Sequence, residues 1–327
     1  MALGQKALAL DESVPAAHEL LGVVYARKQQ YDQAIAEGER AVALSPNNVE
    51  SYAGQATVLN WVGRPADALR AIKQALRLNP RYPAWYLIQL GSAYQGTGRY
   101  AEAIATYKQF LVRNPDFLWG YHNLASSYLA QWASQLSQEP QTLELALTAA
   151  QRAIVLNDVF APGHMILGYV YLWQKQYEQA VAEMERAVAL DPNEANGYAN
   201  LAVVLSCMGR TEEALKAAER ALHLKPEVVD NHSLPVGAVY AAAGRPEEAI
   251  ALLRRYLSRY PNILEPHLIL ATIYNELGRE AEARTEAAEV LRINPQFSLE
   301  VRKERVPIKD PAPLERQLAA LRKAGLK

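Results

Sequence analysis

The chain has 327 residues, half of them hydrophobic, with a formal net charge of −1 and a single cysteine, Cys207. That length suffices for a large core or a long repeat array, and the near-neutral charge without a long basic run argues against nucleic acid as the main partner, since phosphate binding needs a concentrated positive field. One thiol makes neither an internal disulfide nor a cysteine metal cluster, no apolar run approaches the ~20 residues of a membrane helix, and the opening MALGQKALALDE has no signal-peptide order; a reducing, cytoplasmic compartment is expected.

Residues 1–14 read as the second helix of a truncated preceding repeat, whose first helix is missing. From Pro15 onward, self-similarity dominates. Helix-ending prolines fall at Pro46, Pro80 and Pro115, spaced by 34 and 35 residues, and again at Pro192, Pro226, Pro261 and Pro295, spaced by 34, 35 and 34. Asp158 replaces one marker after a spacing of 43. Eight units follow, over 15–298, with starts near Pro15, Val49, Ala84, Leu118, Ala161, Ala195, Asp230 and Leu264.

Each unit predicts two helices around a short turn, marked by Gly63, Gly98, Gly209 and Gly244, where glycine supplies a helix terminator. The eighth place is always small: Gly22, Ala56, Gly91, Ala125, Gly168, Ala202, Gly237, Ala271. The twentieth is always alanine: Ala34, Ala68, Ala103, Ala146, Ala180, Ala214, Ala249, Ala283. Small residues at fixed phase let two helix axes approach closely, and tyrosines at the eleventh place, such as Tyr94 and Tyr274, fill the space beside the contact. Nine extra residues in the fourth unit, near 131–142, are expected to lengthen the connection between its helices. After Phe297 the repeat breaks into a tail, 299–327. There Leu314, Leu318 and Leu321 share one side of an amphipathic capping helix, with Arg302, Lys303 and Arg305 expected in solvent nearby.

The pattern resembles the tetratricopeptide repeat (TPR), a 34-residue helix–turn–helix with small residues at places 8 and 20, an aromatic near 11 and proline at 32. The resemblance implies an all-α fold: a right-handed superhelical solenoid of about eight repeats, with a C-terminal capping helix and the first helices lining a concave surface. Phe110, Tyr256 and Val290 depart from the usual alanine at place 27. Three stretches, NPRYPAWYLIQLGSAYQGTGRYAEAIA, EPQTLELALTAAQRAIVLND and the tail INPQFSLE…PIKDPAPLERQLAALRKAGL, resemble the repeat region C-terminal to bacterial adenylate/guanylate-cyclase-type signalling domains. No cyclase domain lies in the chain, so no catalytic residue carries over.

A helix turns ~100° per residue, which sets places 2, 9 and 13 of each first helix away from the intra-repeat core. Trp85 and Trp119 stand at place 2, Tyr169 at place 9, and Trp61 and Trp173 at place 13. His122, Asn123, Ser126, Asn196 and Asn200 lie beside them. Large aromatic rings carry much of the energy at binding hot spots. The set reads as a partner-binding groove, or equally as packing between adjacent first helices. His18, His164 and His267 recur at place 4 and read as core-edge residues, and acidic pairs such as Glu212–Glu213 open second helices, where they suit the helix dipole. Cys207, at place 13, reads as a silent thiol or a groove residue. No catalytic, metal or phosphate-binding motif appears. Some TPR relatives grip an acidic peptide C-terminus with a Lys/Asn/Arg clamp; here Asn123 and Asn200 lack the accompanying cations, apart from Arg27, so that mode is not expected. The expectation is a non-catalytic scaffold without cofactor or metal, binding a protein or peptide and neither nucleic acid nor membrane, within a larger signalling protein. Self-association through Leu3, Leu8 and Leu10, and small-molecule sensing, stay open as alternatives.

Overall fold

The structure, a computed structural model, describes residues 13–225 and 233–327. Every regular element among them is an α-helix. Eight hairpins follow in order: α1 (Pro15–Arg27) with α2 (Tyr31–Leu44), α3 (Val49–Trp61) with α4 (Pro65–Leu78), α5 (Trp85–Gly96) with α6 (Tyr100–Arg113), α7 (Leu118–Ala133) with α8 (Gln141–Leu156), α9 (Ala161–Trp173) with α10 (Tyr177–Leu190), α11 (Ala195–Cys207) with α12 (Thr211–Leu224), α13 (Ser233–Ala242) with α14 (Pro246–Leu257), and α15 (Leu264–Glu276) with α16 (Glu280–Ile293). The tail forms α17 (Leu299–Arg305) and α18 (Pro311–Lys323). The truncated leading helix, its leucines Leu3, Leu8 and Leu10, and the seventh start at Asp230 lie outside the described residues.

The chain splits into two compact units, residues 1–115 and 116–327. In each, consecutive hairpins stack as a solenoid. Within each unit, first helices of neighbouring repeats touch, as α1 with α3 and α9 with α11, while a second helix followed by another repeat of the same unit lies between the first helix of its own repeat and that of the next. First helices therefore form the inner face.

The small residues do what their phase implies. All eight alanines at place 20 have no exposed surface, and the alanines and glycines at place 8 are buried. Gly91 lets the Tyr107 ring lie directly on the helix; a Cβ there would stand 2.5 Å from Tyr107 Cε1. At the turns, Gly98 adopts φ 75° and the next N–H, of Arg99, donates back to the Tyr94 carbonyl at 2.9 Å, closing the helix in a Schellman-like bond. The same arginine stacks on the place-11 tyrosine: Arg99 on Tyr94, Arg245 on Tyr240 and Arg279 on Tyr274, at 4.7, 4.1 and 4.5 Å. At place 27 Phe110 and Val290 are buried, whereas Tyr256 is half-buried and packs on Tyr260.

The three place-4 histidines are buried, as expected, and each meets a glutamate nineteen residues on. His18 pairs with Glu37, His164 with Glu183 and His267 with Glu286, at 2.5, 2.6 and 2.6 Å. The extra residues of the fourth repeat are shared out: α7 and α8 grow to 16 residues each, against 13 and 14 in the following hairpin, and the remainder makes a longer connection over 134–140.

In the second unit α18 packs on α15 with Leu314, Leu318 and Leu321 buried. With α16 on one side and α18 on the other, α15 is buried at every residue from Pro266 to Tyr274.

Candidate interaction site

In the first unit, Trp61 and Trp85 sit on neighbouring first helices and keep 43% and 39% of their surface exposed. Arg27 lies 5.5 Å over the Trp61 ring. Trp85 meets the buried Tyr86 edge-on at 4.5 Å, and the Tyr86 hydroxyl donates to Glu50 Oε1 at 2.9 Å. The two helices are tied by Asn60 Nδ2, which donates to the Gln89 carbonyl at 3.0 Å. Neither indole belongs to the buried core cluster of this unit.

In the second unit the candidate residues divide. Trp119 is 45% exposed, yet its ring packs on Phe160 at 4.8 Å and on His122 at 5.4 Å. His122 Nδ1–H donates to the Pro162 carbonyl at 3.1 Å. Burial pushes the imidazole down to about 4, against the bond to Pro162 that favours its charged form. A histidine disfavoured as a cation in the fold loses stability as pH falls from its ordinary value near 6.5 toward 4. Acidification across that window is expected to cost about 3 kcal/mol through this group. Thermal melts of wild type and His122→Asn between pH 7 and 4 check this: the variant's curve should be the flatter one.

Tyr169 donates to Asn200 Oδ1 at 3.1 Å, and Asn200 Nδ2 donates to Met165 Sδ at 3.3 Å, so these groups bind each other across α9 and α11. Burial raises the Tyr169 phenol above its ordinary value. Asn196 donates its backbone N–H to Glu194, leaving its Oδ1 buried without a partner. Asn123 accepts from Ser127 through its carbonyl at 2.8 Å; Ser126 and Trp173 are half-buried. The structure thus brings Trp119 and His122 together, and Tyr169 and Asn200 together, with Trp61 and Trp85 in the other unit.

The tail contributes residues that the repeat pattern does not mark. Asn294 Nδ2 donates to the carbonyls of Ser134 and Gln135, at 3.0 and 3.2 Å. The Gln135 amide answers with two bonds to Ser298: its Nε2 donates to the carbonyl, and its Oε1 accepts the backbone N–H, both at 3.0 Å. Arg305 lies 3.6 Å over the Trp132 ring and donates to the carbonyls of Trp132 and Ser137, each at 3.0 Å. Lys175 Nζ donates to the Glu304 carbonyl at 2.8 Å, and the Lys309 N–H to the Cys207 carbonyl at 2.9 Å. Arg302, expected in solvent, is 3% exposed: its guanidinium grips both Glu265 oxygens at 2.9 and 3.0 Å and also reaches Gln317. The expectation failed because its partners lie 15 and 37 positions away. Cys207 is partly buried against the hydrophobic core of the second unit, and burial, reinforced by Glu265, pushes its thiol up to about 12. A thiol so placed is a poor nucleophile.

No group of three or more His, Cys, Asp or Glu side chains fit to hold a metal ion occurs among the described residues. No described helix is long and apolar enough to cross a membrane.

Tetratricopeptide repeat family patterns match residues 15–48, 62–116, 88–131, 164–227 and 240–303. The chain belongs to the tetratricopeptide repeat family. Over 141 residues it is 32% identical to the cytochrome c-type biogenesis protein CycH of Rhizobium meliloti (strain 1021), covering 41% of this chain and 35% of that protein. The chain therefore spans about a third of that relative's length. A thermophilic TPR protein of Thermus thermophilus superposes with TM-score 0.53 at 26% identity, over 59% of this chain and 98% of that one. The human IFIT1 dimer with m7Gppp-AAAA gives TM-score 0.57 at 19% identity, over 89% of this chain and 70% of that one, a likeness of fold alone. TPR arrays are in general non-catalytic scaffolds for protein–protein interaction.

Proposed function

We propose that this TPR array binds an extended peptide or a partner segment along the first helices of a unit, with Trp61 and Trp85 as the main contacts in the first unit and Trp119, taken separately, as a contact in the second. The carrying observation is that these three indoles stay 39–45% exposed on first helices while the small residues behind them are fully enclosed. A large ring left partly in solvent on a helix is the kind of anchor that partners exploit. Tyr169, Trp173, Asn196 and Asn200, with His122, Asn123 and Ser126, would then shape the inner face, chiefly by holding adjacent first helices in register. A place in a larger signalling protein, as the likeness of the tail and insertion to cyclase-linked repeat regions implies, belongs to the same proposal.

Peptide-phage selection on the whole chain, followed by titration of the selected peptides, tests it. Trp61→Ala combined with Trp85→Ala is expected to weaken binding at least tenfold while the melting temperature shifts by only a few degrees. Retained affinity, or a melting loss that matches the binding loss, would return both rings to a packing role.

A further inference from the structure

The inner face of the second unit already holds a peptide-like segment, and that segment is the chain's own. Its two arginines, Arg302 and Arg305, stand one helical turn apart on α17 and enter two different receptors. One is the Glu265 carboxylate with the Gln317 side-chain oxygen. The other is an indole face with carbonyls at its edge, contributed by Trp132 and Ser137. Both suit a guanidinium better than an ammonium, because they ask for a planar fork and a stacking surface.

Two further observations set this surface apart from ordinary repeat packing. Five turns place glycine in the left-handed region: Gly63, Gly98, Gly209, Gly244 and Gly278. The fourth and fifth hairpins put Gln135 and Lys175 there instead, at φ 56° and 61°. A non-glycine residue at such φ carries backbone strain. At both positions the side chain is the group that bonds the tail. Gln29 shares the conformation in the first unit. In addition, Trp132 Nε1 is buried without a partner. The tail satisfies the face of this indole and leaves its donor unmatched. It is a good occupant and an incomplete one.

We infer that the inner face of the second unit is a receptor for a helical segment carrying two arginines one turn apart, and that residues 294–309 are a resident copy of this segment which a partner must displace. The tail is held by hydrogen bonds and charge together with the buried apolar side chains of Phe297, Leu299 and Val306. Another segment can replace such bonds one for one, at little net change in the number made. A tethered tail competes at a high effective concentration, so the partner gains by supplying what the tail lacks, an acceptor for Trp132 Nε1. This inference shares the interaction-module reading of the array but uses a surface other than Trp61 and Trp85.

Cys207, the single thiol, stands where the Lys309 N–H of the tail bonds its backbone carbonyl at 2.9 Å, and so reports on the tail directly. Maleimide labelling of the full chain is expected to be slow. Arg305→Ala should speed it at least tenfold. Gln135→Gly, which installs the residue that five of the other turns carry, should do the same while leaving the hairpin intact. A synthetic peptide of residues 294–309, added to the Arg305→Ala chain, should restore protection in a saturable way; the same peptide with Arg302→Ala and Arg305→Ala should not. Wild-type labelling rates in both variants would overturn the inference, as would protection by both peptides alike. Formation of dimers on release of the tail, seen by size-exclusion chromatography, would assign the site to a second copy and overturn a foreign occupant. Loss of peptide binding through Trp61 and Trp85 leaves the Cys207 readout untouched, so the two readings fail separately.

Discussion

Gly91→Ala is expected to destabilise the first unit by about 2 kcal/mol, although alanine is the better helix former. The added Cβ would stand 2.5 Å from Tyr107 Cε1 and 2.6 Å from Cζ. Tyr107 has no exposed surface, and its hydroxyl lies 3.2 Å from Ser92 Oγ, so the ring has nowhere to swing. Either α5 and α6 move apart or the ring leaves its rotamer. Overpacking of this kind costs ~1–3 kcal/mol, and a clash with an enclosed ring belongs at the upper end. The gain from helix propensity, ~1 kcal/mol, offsets part of it. Gly38→Ala is the matched control: there the nearest atom to the new Cβ is Gln55 Cγ at 3.5 Å, an ordinary contact. Urea unfolding followed by circular dichroism should show Gly91→Ala shifted to lower urea and Gly38→Ala unchanged or shifted upward.

His267→Ala should cost more, about 3 kcal/mol, and more than the same change at His18. Both ring nitrogens of His267 are engaged, Nδ1 with Glu286 Oε2 at 2.6 Å and Nε2 with the Pro261 carbonyl at 3.1 Å. The side chains of the pair keep only 7% and 9% of their surface. Removing the imidazole leaves a buried carboxylate whose remaining ion-pair partner among the described residues, Arg254, is 3.9 Å away. Breaking a buried pair on one side costs ~3–5 kcal/mol, and the distant arginine places this case at the low end. Glu37, by contrast, keeps 22% of its surface and turns to water once His18 is gone. Replacing both His267 and Glu286 with leucine should recover most of the loss. Urea midpoints for the three variants decide it: a smaller effect at His267 than at His18 would mean that burial does not govern the pair.

The histidine–glutamate pairs also show what a repeat sequence discloses and what it hides. Places 8 and 20 were legible because identical geometry recurs eight times and imposes the same small residues each time. The histidines at place 4 were legible as core-edge residues for the same reason. Their partners follow equally simple arithmetic. In the three repeats with histidine at place 4, glutamate stands at place 23; elsewhere that place holds Ala71, Thr106, Ala149, Ala217 or Leu252. The tail offered no such lever. Arg302 and Arg305 belong to a segment without a period, and in sequence they look like any solvated basic pair. What buries them is Glu265, Gln317, Trp132 and Ser137, brought together only when the second unit closes. Among the aromatics, place alone gave the direction of Trp61, Trp85 and Trp119. It did not tell that Trp119 leans on Phe160, nor that Tyr169 is spoken for by Asn200.

The bonds from Asn294, Ser298 and Arg305 to the turn after α7 bridge 159 to 173 positions of chain. A stacked array ordinarily has near-neighbour energetics, so its end repeats fray first and its melting spreads out along the stack. Here the first and last hairpins of the second unit are clamped to each other, which turns an open row into a loop. Fraying at either end then requires breaking the clamp, and the unit should melt as one body with raised contact order. Closing so long a loop adds an entropic barrier late in folding. Hydrogen exchange would show it as matched protection in α7 and α16, lost from both together when Arg305 is removed.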